Sequence, residues 1–446
     1  MTWLQRYRIR HYFGNSIWVL PVLAALAAVG AVRVLHEIEK EVGWVSPVDA
    51  DTARAVLGTM ASALFTSAVF VCTALLVAVQ LASAALSPRI IGLVFRDPIT
   101  KFSLTLLVFT FTFSLSALIR IKDSVPLLTS HTAAYASFVS LGVFLYLIDH
   151  LGKALRPSGA LRAVARQART VIESVYPQLI AEGSGGTNSA TSEEAAGPDN
   201  PIDLGGEPTA TIPSEHDGVV LAFDEAGLLS LAQRANCVIE IVPQVGDHVA
   251  AGDPLFRIFQ GGESLPVDAM CQSLAIGQER TLEQDPTFEF RIMVDIANKG
   301  LSPAINDPTT AVLALDSIQF LLRTVGERRL HNGQVRDNSG QLRLVYRTPD
   351  WEDFVHLAVT EVRQFGGASI QVARRLHAML ENLIHTLPET RGRLLRQELA
   401  KLHRSAERFF AEPEDRVLAG VSDYQGVGGK YEQKRTGNGR RLSTGG

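Results

Sequence analysis

"AVLGTMASALFTSAVFVCTALLVAVQLASAAL", residues 55–86, carries no charged side chain across 32 positions. A helix needs only about 20 apolar residues to cross a bilayer, so this run must tilt strongly or project beyond the lipid. Three further apolar stretches flank it, at 17–32, 102–119 and 132–148, and none follows residue 150. Val34 and Leu35 lengthen the first one past Arg33, whose long side chain can snorkel to the interface. These runs predict an α-helical membrane domain of four transmembrane helices over residues 1–152. The small residues "AAVGA" (27–31) after a basic start also resemble a signal peptide, but Trp18 and the charged flank suit a retained anchor.

Basic residues near the span ends set the expected orientation. Arg6, Arg8 and Arg10 precede the first span, Arg89, Arg96 and Lys101 lie in the second connection, and Lys153, Arg156, Arg162, Arg166 and Arg169 follow the fourth. The first connection is acidic, with Glu37, Glu39, Glu41, Asp49 and Asp51, while Arg120 and Lys122 in the third run against the trend. Both termini, and everything after residue 150, are therefore expected in the cytoplasm.

The second span repeats small residues every four positions, at Gly58, Ser62 and Thr66 and at Ala74, Ala78 and Ala82. Such spacing lets helices approach closely in lipid. The third span scatters Thr105, Thr110, Thr112, Ser114 and Ser116 along its length. These hydroxyls either line a path or bond back to their own helix, and the second role is the commoner. No Asp, Glu, Lys or Arg lies mid-span, so the usual mark of a proton-coupled transporter is missing.

At 446 residues, 46% hydrophobic and 20% charged, the composition suits a chain part in membrane and part in water. The net charge of −4 and the lack of a basic, aromatic-threaded run exclude nucleic acid as an expected partner. Cys72, Cys237 and Cys271 are far apart and form no CxxC, so neither a zinc site nor a disulfide framework is expected.

After the spans, residues 153–182 read as a basic amphipathic helix, either on anionic headgroups or packed on the domain beyond. Residues 183–213 are rich in Gly, Ser, Thr, Glu and Pro and read as a flexible linker. Residues 214–262 read as a small β module. Its phrase "VGDHVAAGDPLFRI" (245–258) resembles half of a biotinyl/lipoyl-type barrel, but "FQGGESLP" follows without the lysine that such a domain modifies. Residues 263–411 read as mainly helical, with a β-hairpin near 334–346. Asp285-Pro286 and Asp307-Pro308 each open a helix, Gly300 suits a C′ stop, and Val312, Leu315, Ile318, Leu322 and Val325 form one apolar face. Residues 412–446 read as a disordered tail. The fold class is thus a four-helix membrane domain followed by a cytoplasmic α+β region with a barrel-like module and a helical bundle.

The chain has no P-loop, dinucleotide fingerprint, GxSxG elbow or HExxH helix, so no enzyme, cofactor or metal site is expected. His377, His385 and His403 read as surface or satisfied helix residues. One polar cluster stands out, around "KGLSPAINDPTTAVLALD" (299–316). Asp295 and Lys299 can pair across a helical turn, with Arg291 on the same face. Ser302, Asn306, Asp307, Thr309 and Thr310 follow. Capping accounts for Ser302, Asp307 and both prolines, which leaves Asn306, Thr309 and Thr310 as surplus polarity and a candidate site for a small ligand, an ion or a subunit.

The phrases "VAVQLASAALSPRIIGLVFRD" (77–97), "KFSLTLLVFTFTFSLSALIRI" (101–121), "FLYLIDHLGKALRP" (144–157), "RTLEQDPTFEFRIMVDIANKGLSPAINDPTTA" (280–311) and "PDWEDFVHLAVTEVRQFG" (349–366) together resemble a bacterial family of predicted membrane proteins of unknown function. The resemblance implies N-terminal spans and a cytoplasmic domain, with Gly300 standing where the family's phrase is expected to have alanine. It implies no catalytic residue. The leading expectation is a multi-pass inner-membrane homo-oligomer, channel-like, with a cytoplasmic assembly or gating domain. The alternative is a membrane-anchored interaction protein that senses lipid or ligand.

Overall fold

The computed structural model describes residues 1–86, 89, 96–121, 125–154, 156–180, 204 and 206–427. Residues 183–203 and 205 of the expected linker, residues 428–446 of the expected tail, and Lys122 lie outside them.

A first helix, α1 (Trp3–Asn15), precedes α2 (Val19–Val42), α3 (Ala50–Ala85), α4 (Pro98–Leu118) and α5 (Leu127–Ala154). The last four are long and apolar enough to cross a membrane. Their starts follow from capping chemistry. Asp49 accepts from the Asp51 and Thr52 amides at 3.0 and 3.2 Å, and Asp97 from Thr100 at 2.9 Å. For α5 the cap comes from another helix: buried Glu39 of α2 accepts from the Thr129 amide at 3.0 Å and its hydroxyl at 2.5 Å. Helix α4 is the bundle's centre, packing against α2, α3 and α5. Its apolar stretch is 44% buried, against 17–22% for the others.

The small-residue row on α3 is not one face. Each four-residue step overshoots a turn by about 40°, so from Gly58 to Ala74 the row swings through roughly 160°. Ser62 and Thr66 are exposed and Gly58 half-buried, while Ala74 is half-buried and Ala78 and Ala82 are buried inside the bundle. Hydroxyls on α3 bond back, Thr59, Thr66, Ser67 and Thr73 reaching the carbonyl four residues earlier at 2.8–3.0 Å, but of the five expected to do so on α4 it is Thr105 that does, at 2.6 Å. Thr110 instead meets Ser140 of α5 at 2.9 Å, Ser114 is fully buried, and Thr112 is half-buried.

Beyond the spans, α6 (Pro157–Val175) turns Leu161, Val164, Ala168 and Ile172 into the core of the α+β domain, so its apolar face packs on protein. Strands β1 (Ala210–Pro213) and β2 (Gly218–Phe223), helix α7 (Glu225–Arg234), strands β3 (Val238–Ile241), β4 (His248–Val249) and β5 (Pro254–Phe259), helix α8 (Val267–Cys271) and strand β6 (Leu274–Gly277) follow. The expected hairpin is β7 (Gln334–Arg336) and β8 (Leu342–Tyr346). It does not stand apart: β8 pairs parallel with β3, Ile239 opposite Leu344, within a sheet ordered β1-β5-β3-β8-β7. The second sheet is β4-β2-β6. The described strands therefore form two open sheets and not a closed barrel, because the hairpin extends one edge where a barrel would close.

Helices α9 (Pro286–Gly300), α10 (Pro308–Gly326), α11 (Trp351–Gly366), α12 (Ile370–Thr386) and α13 (Glu389–Phe409) build the main core. The expected face of α10, from Val312 to Val325, is buried. Order continues past 411: α14 (Pro413–Ala419) and a strap over 420–427 lie on α12, where the Arg374 guanidinium donates to the Val421 carbonyl at 3.1 Å. The expected disordered tail thus begins too early. Gly-rich composition concealed docking by a few residues.

Candidate functional site

The site lies where the second span enters the α+β domain. Helix α3 has 36 residues, about 54 Å of helix, against a hydrocarbon core of about 30 Å. Its surplus length projects. Leu86, just past its end, is 2% exposed and belongs to the main core of the α+β domain.

Helix α9 grips this end from the side. Asp285 starts α9 by accepting from the Phe288 amide at 3.1 Å, and Arg280 braces the same carboxylate at 2.6 and 2.9 Å. One face of α9 then presents Arg291, Asp295, Asn298 and Lys299 to a cavity of about 390 Å³ that Leu86, Glu361 and Phe365 complete. Lys299 Nζ donates to the Ser83 carbonyl at 2.6 Å. That carbonyl is one of the last in α3, a helix end that carries partial negative charge and lacks intrahelical donors. Asp295 takes Arg291 Nε at 2.7 Å and also pairs with Arg89, just beyond the span. The expected Asp295–Lys299 pair is therefore not formed, because each has a partner in or beside the membrane helix.

Arg291 reaches onward to Glu361 of α11, its Nη2 at 2.8 Å, and Asn298 Nδ2 donates to the same carboxylate at 2.8 Å. Hydrogen bonding to Arg291 holds the Glu361 carboxyl below its usual range and raises Arg291 in turn. With its carboxylates committed to cations, this face clamps the end of α3 to α9 and α11. Among the described residues no group of three His, Cys, Asp or Glu side chains could hold a metal.

The loop after α9 closes on itself. Gly300 is the last helical residue and Leu301 the cap, both differing from the expected C′ glycine. A Cβ on Gly300 would sit 3.0 Å from the Asp307 carbonyl oxygen, which accounts for a residue without one. Ser302 Oγ donates to the Lys299 carbonyl at 2.7 Å, and Asp307 accepts from the Thr310 amide at 3.1 Å and hydroxyl at 2.5 Å. Asn306 has φ +47°, a left-handed conformation that Asn tolerates better than most residues. Thr309 is exposed on the first turn. The structure thus separates the predicted cluster: Asp295 and Lys299 join the clamp, while Ser302, Asn306, Asp307, Thr309 and Thr310 build a turn.

Sequence reasoning missed Ser83, Leu86, Asn298 and Glu361, since nothing local links residue 86 to residue 361. It also separated His377 from His403. Their Nε2 atoms stand 3.0 Å apart between α12 and α13, with Ser422 Oγ 2.7 Å from His377 Nδ1. Burial lowers the His377 pKa.

A chain with four membrane-capable helices, one of them gripped by an α+β domain, is a multi-pass membrane protein. Residues 14–382 match the family described as "Predicted membrane protein (DUF2254)", and the chain belongs to it. It is similar to uncharacterized proteins of Mycobacterium bovis and Mycobacterium tuberculosis, each 25% identical over 436 residues, covering 93% of this chain and 80% of theirs. A further uncharacterized protein, from another Mycobacterium tuberculosis strain, is 24% identical over the same length. No solved structure matches the chain.

Proposed function

We propose that the chain is an oligomeric, channel-like conduit of the bacterial inner membrane, with both termini cytoplasmic, whose cytoplasmic domain assembles it and sets the inner end of the second span. The observation that carries this reading is the clamp: Lys299 on the Ser83 carbonyl and Leu86 inside the cytoplasmic core. A domain held this way cannot move without moving α3. Exposed Ser62 and Thr66 and half-buried Gly58 supply a small-residue surface for a second copy. On this reading the chain has no catalytic centre, needs no cofactor, and meets lipid and its own copies rather than nucleic acid.

The test is reconstitution in planar bilayers under varied voltage, tension and ligands, with Lys299→Ala beside the parent. Conductance whose gating shifts in Lys299→Ala supports the proposal. No current or flux under any condition would sink it and leave the alternative, a membrane-anchored sensor.

A further inference from the structure

A cavity of about 880 Å³ lies between α1, the end of α6, the β sheets and the start of α9. Its size is that of a small-molecule site. One wall is a chain of rings: Phe223 meets Tyr346 at 4.8 Å, Tyr346 meets His331 at 5.7 Å, and His331 meets Tyr176 at 5.2 Å between centroids. Another wall is α1, where Trp3, Arg6, Tyr7 and Arg10 recur at helical spacing and all face the cavity.

The charges lining it are unequal. Glu225 is occupied by the Tyr346 hydroxyl at 2.8 Å and Asp285 by Arg280 at 2.6 Å. Glu283 has His11 at 3.4 Å and Arg96 at 3.6 Å. Arg10 only reaches Glu283 at 4.0 Å. Arg6 and Arg347 line the cavity and make no ion pair among the described residues. Partial desolvation among the rings lowers the pKa of His331, an otherwise exposed residue, which suits it to serve as a ring rather than a charge.

We propose that this cavity binds a soluble nucleotide, its flat base on the Phe223–Tyr346–His331 wall and its phosphates on Arg6, Arg10 and Arg347. Flat rings stack on aromatic faces, and guanidinium forks match phosphate oxygens. The placement favours a free solute over a lipid headgroup. Helix α1 is anchored at its far end, where Arg96 pairs with Asn15 and Lys101 Nζ reaches the Phe13 carbonyl at 3.3 Å, beside the start of α4. Trp3 lies 12 residues up the helix from Asn15, about 18 Å away. Exposed Ile9, Tyr12 and Phe13 lie toward that anchored end. The site stands whether or not the chain conducts.

The experiment is calorimetric titration of the full chain in phosphatidylcholine nanodiscs with ATP, adenosine, inorganic pyrophosphate and short-chain phosphatidylglycerol. Saturable ATP binding is expected, with adenosine and pyrophosphate each weaker by about tenfold or more. Arg6→Ala and Arg347→Ala should each weaken ATP by about tenfold with unchanged melting, since both side chains are exposed. Tyr346→Leu should weaken ATP and adenosine and leave pyrophosphate unchanged. No saturable nucleotide binding overturns the proposal. So does pyrophosphate binding as tightly as ATP, arginine variants that bind normally, or saturation by phosphatidylglycerol alone.

Discussion

Along α9, Arg291, Asn298 and Lys299 send their polar atoms to other elements: Glu361 on α11 for the first two, Ser83 at the end of α3 for the third. In the turn that follows, Ser302 returns to Lys299, Asp307 to Thr310, and Asn306 uses its freedom in φ. The two stretches are adjacent and equally polar, yet only the first connects anything. Polarity alone does not mark a functional segment. The destination of the hydrogen bond does, and for Lys299 the destination is 216 residues away.

The largest expected effect lies on the clamp side. Leu86→Ala should destabilise the full chain by about 3 kcal/mol, the cost of a buried leucine and its cavity, read from thermal melts in detergent. A loss below about 0.5 kcal/mol would mean that Leu86 is not a core residue, within the scatter of ordinary surface changes. Next is Glu289, on α9 and fully buried, with neither carboxylate oxygen hydrogen-bonded among the described residues. Burial first, and Asp285 second, raise its pKa well above the usual value. The folded chain then keeps a proton that the unfolded chain releases above its ordinary pKa of 4.5. Stability from this group is present below that pH and lost as pH rises toward the folded value, at up to about 1.4 kcal/mol per pH unit. Glu289→Gln cannot ionise, so its advantage over the parent should grow between pH 5 and pH 8 in denaturant titrations. Parallel pH profiles would show that the carboxylate ionises in place.

The comparison also explains what the sequence made legible. Spans, caps and the buried face of α10 are local: hydropathy, Asp-Pro starts and helical period each act within a few residues. The clamp is not local, since Ser83, Arg291, Asp295 and Glu361 meet only once α3 projects and α9 packs on α11. The parallel pairing of β8 with β3 spans a hundred residues and two intervening helices of the core, so nothing local to the hairpin reveals it. His377 and His403 meet only because α12 and α13 pack together. The small-residue row divides for another reason. Residues at four-residue spacing drift around an unsupercoiled helix, so Gly58, Ser62 and Thr66 face away from Ala78 and Ala82.

On the turn side the effects are smaller. Asp307→Ala should cost about 1 kcal/mol as a lost cap and leave any conductance or ligand response of the folded protein intact. Loss of function without loss of stability would return the turn to the list of sites. The smallest effect sharpens the contrast most. At φ +47° a side chain other than Asn or Gly is strained, so Asn306→Ala should destabilise by roughly 1 kcal/mol. Asn306→Gly, which removes the same amide but relieves the backbone, should stay within about 0.5 kcal/mol of the parent. If conformation is the only role of Asn306, the two variants part in melting temperature and agree in function. If its amide holds a ligand or a subunit, they agree in lost function, and glycine's backbone freedom rescues nothing.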